Sequence, residues 1–159
     1  MIGLPGQTVD DLVHDLRFFE EFDLDMIGMG PYIPHADTPL GHGIEVTEEY
    51  RRRQLEAGLR MIACTRLLLR DVNIASTTAL QALGDDGREL GLLAGGNVVM
   101  PNITETGYRK GYQLYEGKPA LEESSAESRD NLSRRIASIG ETIRWAESGD
   151  SLHYAARHR

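Results

Sequence analysis

Short apolar runs alternate along this chain with longer segments in which apolar residues recur every three or four positions. The short runs have the length of buried strands and occupy residues 2–4, 26–29, 72–78 and 97–100. The longer segments have the period of amphipathic helices and occupy residues 9–22, 48–69, 86–94, 104–115 and 124–145. This alternation predicts an α/β fold, with a parallel sheet and helices packed outside it.

Capping residues mark the starts of three of these helices. Thr8 is followed three residues later by Asp11, which predicts a capping box. Thr47 starts the second helix, and Asp85 or Asp86 starts the third. The predicted core stripes are Leu55, Leu59, Ile62, Arg66 and Leu69 on the second helix, and Leu132, Ile136, Ile139 and Ile143 on the last.

The stretch 25–40 has the composition of a binding loop. It contains two glycines, three prolines, Tyr32 and His35. The prolines restrict the backbone and the glycines leave it without side chains, both at the end of the second strand. Backbone of this kind lets a small ligand approach closely. An ordinary proline-rich surface loop is the alternative interpretation.

Hydroxyl groups follow the third and fourth strands. Thr77 and Thr78 end the third strand, where they either cap the next turn or donate to a substrate carboxylate. Tyr108, Tyr112 and Tyr115 share one face of the helix after residue 103, where they either pack as a helix edge or line a ligand site.

Composition and charge exclude several classes of partner. The chain has 159 residues, a net charge of -8 and a single cysteine. An acidic chain does not suit nucleic acid or an anionic membrane surface, and neither is predicted as a partner. There is no long apolar segment and no secretory leader, so we expect a cytoplasmic protein. One thiol cannot hold an iron–sulfur cluster or a structural zinc, and Cys64 is predicted to be a small core residue.

The strand–helix unit recurs about three times behind a partial first strand. A closed (β/α)₈ barrel takes about 250 residues, so the pattern predicts the second half of one. In such barrels the chemistry lies where the strands end, and these strand ends should form one rim. We expect the half-barrel in residues 1–103, a helical segment that closes the barrel in 104–147, and a frayed polar tail in 148–159.

Four stretches at these strand ends resemble the HydE-type [FeFe]-hydrogenase maturases. They read Ile-Gly-Leu-Pro-Gly-Gln-Thr at 2–8, Asp-Met-Ile-Gly-Met-Gly-Pro-Tyr-Ile-Pro-His-Ala-Asp-Thr-Pro-Leu at 25–40, Thr-Thr-Ala-Leu-Gln-Ala-Leu at 77–83 and Asn-Val-Val-Met-Pro-Asn at 97–102. The resemblance runs from residue 1 to about residue 143 and is more distant to biotin synthase and methylornithine synthase. It implies a radical S-adenosylmethionine enzyme and a partial (β/α)₈ TIM barrel, from the end of the fifth strand to the eighth, with C-terminal helices.

The resemblance also implies roles for individual residues. The cofactor S-adenosylmethionine would lie against Gly3, Leu4, Pro5, Met29, Pro31 and Tyr112. A small-molecule or organometallic substrate would be held by Thr77, Thr78, Met100 and Tyr115. Other hydrogenase maturation proteins are the expected partners.

One feature departs from the family pattern. The family holds a [4Fe-4S] cluster on a Cys-x3-Cys-x2-Cys loop, whereas this sequence has only Cys64. We therefore expect no catalytic residue and no metal ligand in this chain, and no radical chemistry by this chain alone. The function expected is that of a fragment of a maturase that assembles the diiron subcluster and dithiolate ligand of the hydrogenase H-cluster. The alternatives are a methylornithine or biotin synthase-like enzyme and a non-catalytic binding remnant.

Overall fold

The computed structural model describes residues 1–101, 106–109 and 125–158. It has a mixed α/β fold in which strands and helices alternate as predicted. The elements are α1 (Val9–Glu21), β1 (Met26–Gly28), α2 (Glu48–Leu68), β2 (Asn73–Ala75), α3 (Thr78–Leu83), α4 (Gly87–Leu93), α5 (Thr106–Arg109), α6 (Ser125–Ser138) and α7 (Leu152–Arg157).

The strands form a short parallel sheet whose order in space follows the chain. β1 pairs in parallel with β2, with Ile27 opposite Ile74. A parallel bridge joins Ile2 to Pro31 on one side, and another joins Ala75 to Val98 on the other. The predicted parallel arrangement is confirmed, but the fourth predicted strand is reduced to the bridge at Val98.

The two faces of the sheet differ sharply. Met29 packs against α2, with its sulfur 3.8 Å from the hydroxyl of Thr65. Because side chains alternate along a strand, Gly28 and Gly30 face the opposite way. A Cβ added to Gly30 would lie 2.9 Å from the Thr77 hydroxyl, so Thr77 is on the same side. We call this side, defined by Gly28, Gly30 and Thr77, the glycine face.

The core lies between the sheet and α2. Its buried members are Ile2, Ile27, Met29, Met61, Ile62, Val72, Ile74 and Leu80. Of the predicted stripe on α2, Ile62 is buried and Leu55, Leu59 and Leu69 pack against the core. The other buried positions of α2 are Gln54, Gly58, Met61 and Thr65, which the stripe did not include. The prediction for Cys64 is wrong, since the side chain is exposed. It lines an open apolar groove of about 400 Å³ between α1 and α2.

Several helix boundaries were predicted correctly and others were not. Thr8 and Asp11 form the predicted capping box of α1. Thr47 caps α2, and Asp86 precedes α4. Helix α3 was not predicted, and α6 ends at Ser138 rather than continuing to Trp145. Of the predicted helix 104–115, only α5 lies among the described residues.

The polar tail does not fray as predicted but folds onto the amino-terminal end of the sheet. Ser151 caps α7 through a hydrogen bond from the Tyr154 amide. The contacts that anchor the segment include these: Asn73 Nδ2 donates to Gly149 O (2.6 Å), His153 N donates to Asp71 O (3.1 Å), and Arg157 Nη1 donates to Asp23 Oδ2 (2.9 Å). Arg157 also pairs with Asp25. The strand starts are thereby covered at the end opposite to the strand-end loops.

No helix in the described parts of the chain is both long enough and apolar enough to span a membrane.

Candidate functional site

The carboxyl ends of the parallel segments lie on one edge, which we call the strand-end rim. Its first part is the turn from Gly3 to Gly6, where both glycines have positive φ angles of 76° and 82°. Gln7 holds this turn from within: its Oε1 accepts from the amides of Gly3 (2.6 Å) and Leu4 (3.3 Å), and its Nε2 donates to Met1 O (3.0 Å). Gly3, Leu4 and the exposed Pro5 thus stand at the rim, as predicted.

Met29 and Pro31 are at the rim through their backbone only. The side chain of Met29 is 6% exposed and belongs to the core. Pro31 is buried against α2, and its Cδ lies 3.5 Å from the point that a Cβ added to Gly58 would occupy. The alternation of the strand directs both side chains toward the helix, which the sequence prediction did not consider. The glycine face instead presents Gly28, Gly30 and the exposed side chain of Met26.

Thr77 has the properties of a ligand-binding hydroxyl. It occupies the N-cap position of α3, yet its side chain makes no capping hydrogen bond. Its Oγ1 is buried and has no hydrogen-bond partner within the described parts of the chain. A buried hydroxyl without a partner is costly, so such a group is often a site for a ligand or a bound water. Thr78 differs, because it is the first residue of α3 rather than the end of β2.

The remaining predicted site residues are either exposed or outside the described part of the chain. Met100 follows the Val98 bridge, and its side chain is 59% exposed. Tyr112 and Tyr115 lie outside the described residues, so their roles stay predictions. Tyr108, from the same predicted stripe, is 74% exposed.

A polar network behind the rim was missed by the sequence analysis. Gln54 of α2 donates from Nε2 to Gly3 O (2.9 Å) and to Tyr50 Oη (2.9 Å). Tyr50 Oη donates to Tyr32 O at 3.4 Å. Burial raises the pKa of Tyr50, so this hydroxyl keeps its proton at neutral pH. The signal available in the sequence was the spacing of Tyr50, Gln54 and Gly58 on one helix face.

The described residues do not fit an iron–sulfur cluster. Cys64 is exposed on α2, in the groove that faces α1, whereas the strand-end rim lies at the ends of the strands. Across residues 1–101, 106–109 and 125–158, no three His, Cys, Asp or Glu side chains come together as a metal site. The bare backbone and free hydroxyl of the rim are suited to an organic ligand instead.

Comparison with known proteins identifies a curated relative of this chain. No family model matches the chain. Over 118 residues, or 74% of its length, the chain is 51% identical to the [FeFe] hydrogenase maturase subunit HydE of Thermotoga maritima. The aligned part of this chain is HydE-type sequence. The resemblance given above on the strand-end stretches is thereby confirmed.

The HydE-type match covers only part of the relative. The aligned residues make up 32% of the Thermotoga protein, so the chain spans about a third of the HydE that it matches.

Proposed function

We propose that this chain forms part of a HydE-type radical S-adenosylmethionine maturase that acts in [FeFe]-hydrogenase maturation. The observation that carries the proposal is the 51% identity to HydE over most of the chain. The parallel segments would be the end of strand five and strands six to eight of a (β/α)₈ barrel. Their parallel pairing, their order and the packing of α1 and α2 residues against the strand core support this placement.

S-adenosylmethionine would bind at the strand-end rim, over the glycine face. The turn from Gly3 to Pro5 presents backbone, and Gly28 and Gly30 leave the sheet bare for a flat or extended ligand. When bound and reduced by a cluster, this cofactor supplies a 5′-deoxyadenosyl radical. The residues of this chain would bind and orient it.

The substrate would lie beside Thr77, whose free Oγ1 suits a carboxylate or another acceptor oxygen. Met100 and Thr78 would stand nearby, with Tyr112 and Tyr115 closing the cavity. The proposed product is part of the diiron subcluster or its dithiolate ligand, and other maturation proteins are the proposed partners. The cluster ligands would come from residues that this sequence does not contain.

We expect S-adenosylmethionine to bind the chain and Gly28→Val to abolish that binding. A Cβ added at Gly28 meets no described atom within 4 Å, so valine fits the sheet and fills the space above the glycine face. Gly28→Ala should weaken binding to a smaller degree, since its side chain is shorter. Isothermal titration calorimetry measures the affinities, and melting temperatures equal to wild type show that both variants fold. If S-adenosylmethionine gives no heat of binding with the wild-type chain, the proposal is wrong.

We expect the chain by itself to hold no [4Fe-4S] cluster, because a cluster needs several thiolates and the sequence has one. Anaerobic reconstitution with iron and sulfide should leave no charge-transfer absorption and no 5′-deoxyadenosine on addition of dithionite and S-adenosylmethionine. Near-stoichiometric cluster iron that survives Cys64→Ser would contradict this expectation.

A further inference from the structure

Helix α2 supports two turns of the strand-end rim at once. Gln54 is bonded to the Gly3 turn and, through Tyr50, to the loop at Tyr32. Gln54 lies 51 residues from Gly3 along the chain, so this contact is not a local turn feature. The two rim segments are also joined directly, because Tyr32 N donates to Ile2 O at 2.7 Å. The backbone bond sets the spacing of the two segments, and the polar network ties the Gly3 turn to α2.

The carboxamide of Gln54 fits closely against the bare side of Gly3. A Cβ added to Gly3 would lie 1.9 Å from Gln54 Oε1, so only glycine leaves room for this side chain. The orientation of the carboxamide follows from its partners: Gly3 O can only accept, which requires Nε2 on that side. Gln7 holds the turn from within, and Gln54 holds it against α2.

Stability alone does not account for a glutamine at this position. Gln54 is 8% exposed, and its Oε1 has no hydrogen-bond partner among the residues described. The unpaired Oε1 weakens the fold and offsets part of what the two hydrogen bonds from Nε2 contribute, so a methionine of similar volume should be about as stable. Residues that add little stability but hold a geometry are characteristic of functional sites.

We propose that Gln54 is a positioning residue, which holds the Gly3 turn against α2 in the position that S-adenosylmethionine requires. This inference rests on the proposed function, because it assigns the ligand of the same rim. Gln54 does not touch the ligand. It acts through the Gly3 carbonyl and through the hydroxyl of Tyr50.

The test compares Gln54→Met with Tyr50→Phe and with Glu56→Met in the whole 159-residue chain. Gln54→Met removes both hydrogen bonds, Tyr50→Phe removes the link to Tyr32, and Glu56→Met is an exposed control on the same helix. Gln54→Met should weaken S-adenosylmethionine binding by about tenfold, a usual loss when outer support of a binding group is removed. Tyr50→Phe should have a smaller effect in the same direction, and Glu56→Met none.

Two further measurements separate positioning from a structural role. The melting temperature of Gln54→Met should stay close to that of the wild type, because the lost hydrogen bonds are offset by removal of the unpaired Oε1, so affinity falls without a matching loss of stability. Hydrogen exchange should become faster at the Gly3 and Leu4 amides but not at Ile74 in β2. If the wild-type chain binds S-adenosylmethionine and Gln54→Met binds it with the same affinity, this inference is wrong and the proposed function is unaffected. No binding by the wild-type chain overturns the proposed function, and the assignment of Gln54 with it.

Discussion

Replacing Arg66 with methionine should lower the free energy of unfolding by about 2 to 4 kcal/mol, because several carbonyl groups would lose a charged donor. The guanidinium donates to Arg70 O (2.7 Å), Val72 O (2.8 Å), Gly95 O (2.9 Å) and Asn97 Oδ1 (3.0 Å). It thereby joins the end of α2 to the start of β2 and to the turn after α4. Burial lowers the pKa of Arg66, so desolvation opposes its charge, and these acceptors compensate for that cost.

The network continues from Arg66 into the sheet. Asn97 Oδ1, which accepts from Arg66, also accepts from the amide of Ile74 at 2.8 Å. Asn97 Nδ2 donates to Asn73 Oδ1 at 2.9 Å. Loss of Arg66 should therefore loosen the edge of the sheet at Val98 as well as the end of α2.

Urea denaturation followed by circular dichroism measures the effect, with Arg70→Met as the matched control. Arg70 is exposed, and its replacement should change the free energy of unfolding by less than about 0.5 kcal/mol. Arg66→Lys should fall between the two, because an ammonium cannot reproduce the planar set of donors. Equal stability of Arg66→Met and Arg70→Met would contradict the assignment.

Replacing Arg135 with methionine should cost about 2 to 4 kcal/mol at pH 7, because it removes the hydrogen-bonded counter-ion of the buried carboxylate of Glu89. Arg135 of α6 forms a two-pronged pair with Glu89 of α4, with Nη2 2.7 Å from Oε2, and it also donates to Asp85 O. Glu89 is only 8% exposed, whereas Arg135 keeps part of its side chain in water. We therefore place the cost below that of a fully buried pair.

The effect of Arg135→Met should depend on pH with a definite sign. The hydrogen bond from Arg135 lowers the pKa of Glu89 below its ordinary value of 4.5. A carboxyl group with a lowered pKa stabilises the fold above its unfolded-state pKa, and this contribution disappears as pH falls through the folded-state pKa. The stability difference between wild type and Arg135→Met should thus be largest near pH 7 and shrink below about pH 4.5.

The matched variant for this pair is Glu89→Gln combined with Arg135→Met. It removes the charge that Arg135→Met leaves unpaired, so it should recover part of the lost stability at pH 7. Denaturation curves at several pH values provide the comparison. A stability difference that is constant from pH 7 to pH 3 would show that Arg135 acts through packing rather than through its charge.

Local sequence signals predicted the elements whose causes are local. Thr8 and Asp11 are three residues apart, and their capping box is present in full. The apolar run at 26–29 gave β1, and its parallel partner followed from the strand–helix alternation. The sequence could not show which side of β1 faces α2. For this reason Met29 was predicted at the ligand site, although it lies in the core.

Hydrophobic periodicity predicted only part of the inner side of α2, where Ile62 is buried as expected. The buried positions also include Gln54, Gly58 and Thr65, which a search for apolar residues passes over. Gly58 is buried because Pro31 and Leu80 approach it closely, and Gln54 because Gly3 offers a carbonyl. Both causes are long-range contacts. The same shift of the buried face leaves Cys64 exposed in the groove toward α1.

The tail was mispredicted because its partners are remote in sequence. Residues 149–157 contain no apolar stripe, and their order comes from polar contacts with Asp71, Asn73 and the acidic residues before β1. A polar segment is predicted to fray when no partner is visible nearby. Only the fold brings Asp23 and Arg157 together across 134 residues.

That remote contact has a consequence for biosynthesis. Arg157 is made 134 residues after Asp23, so Asp23 and Asp25 are uncovered on the nascent chain until Arg157 has been added. Contacts so distant in sequence are slow to form. We therefore expect the amino-terminal end of the sheet to be completed after β1 and β2 have paired. Until then its acidic residues are open to solvent and to chaperones.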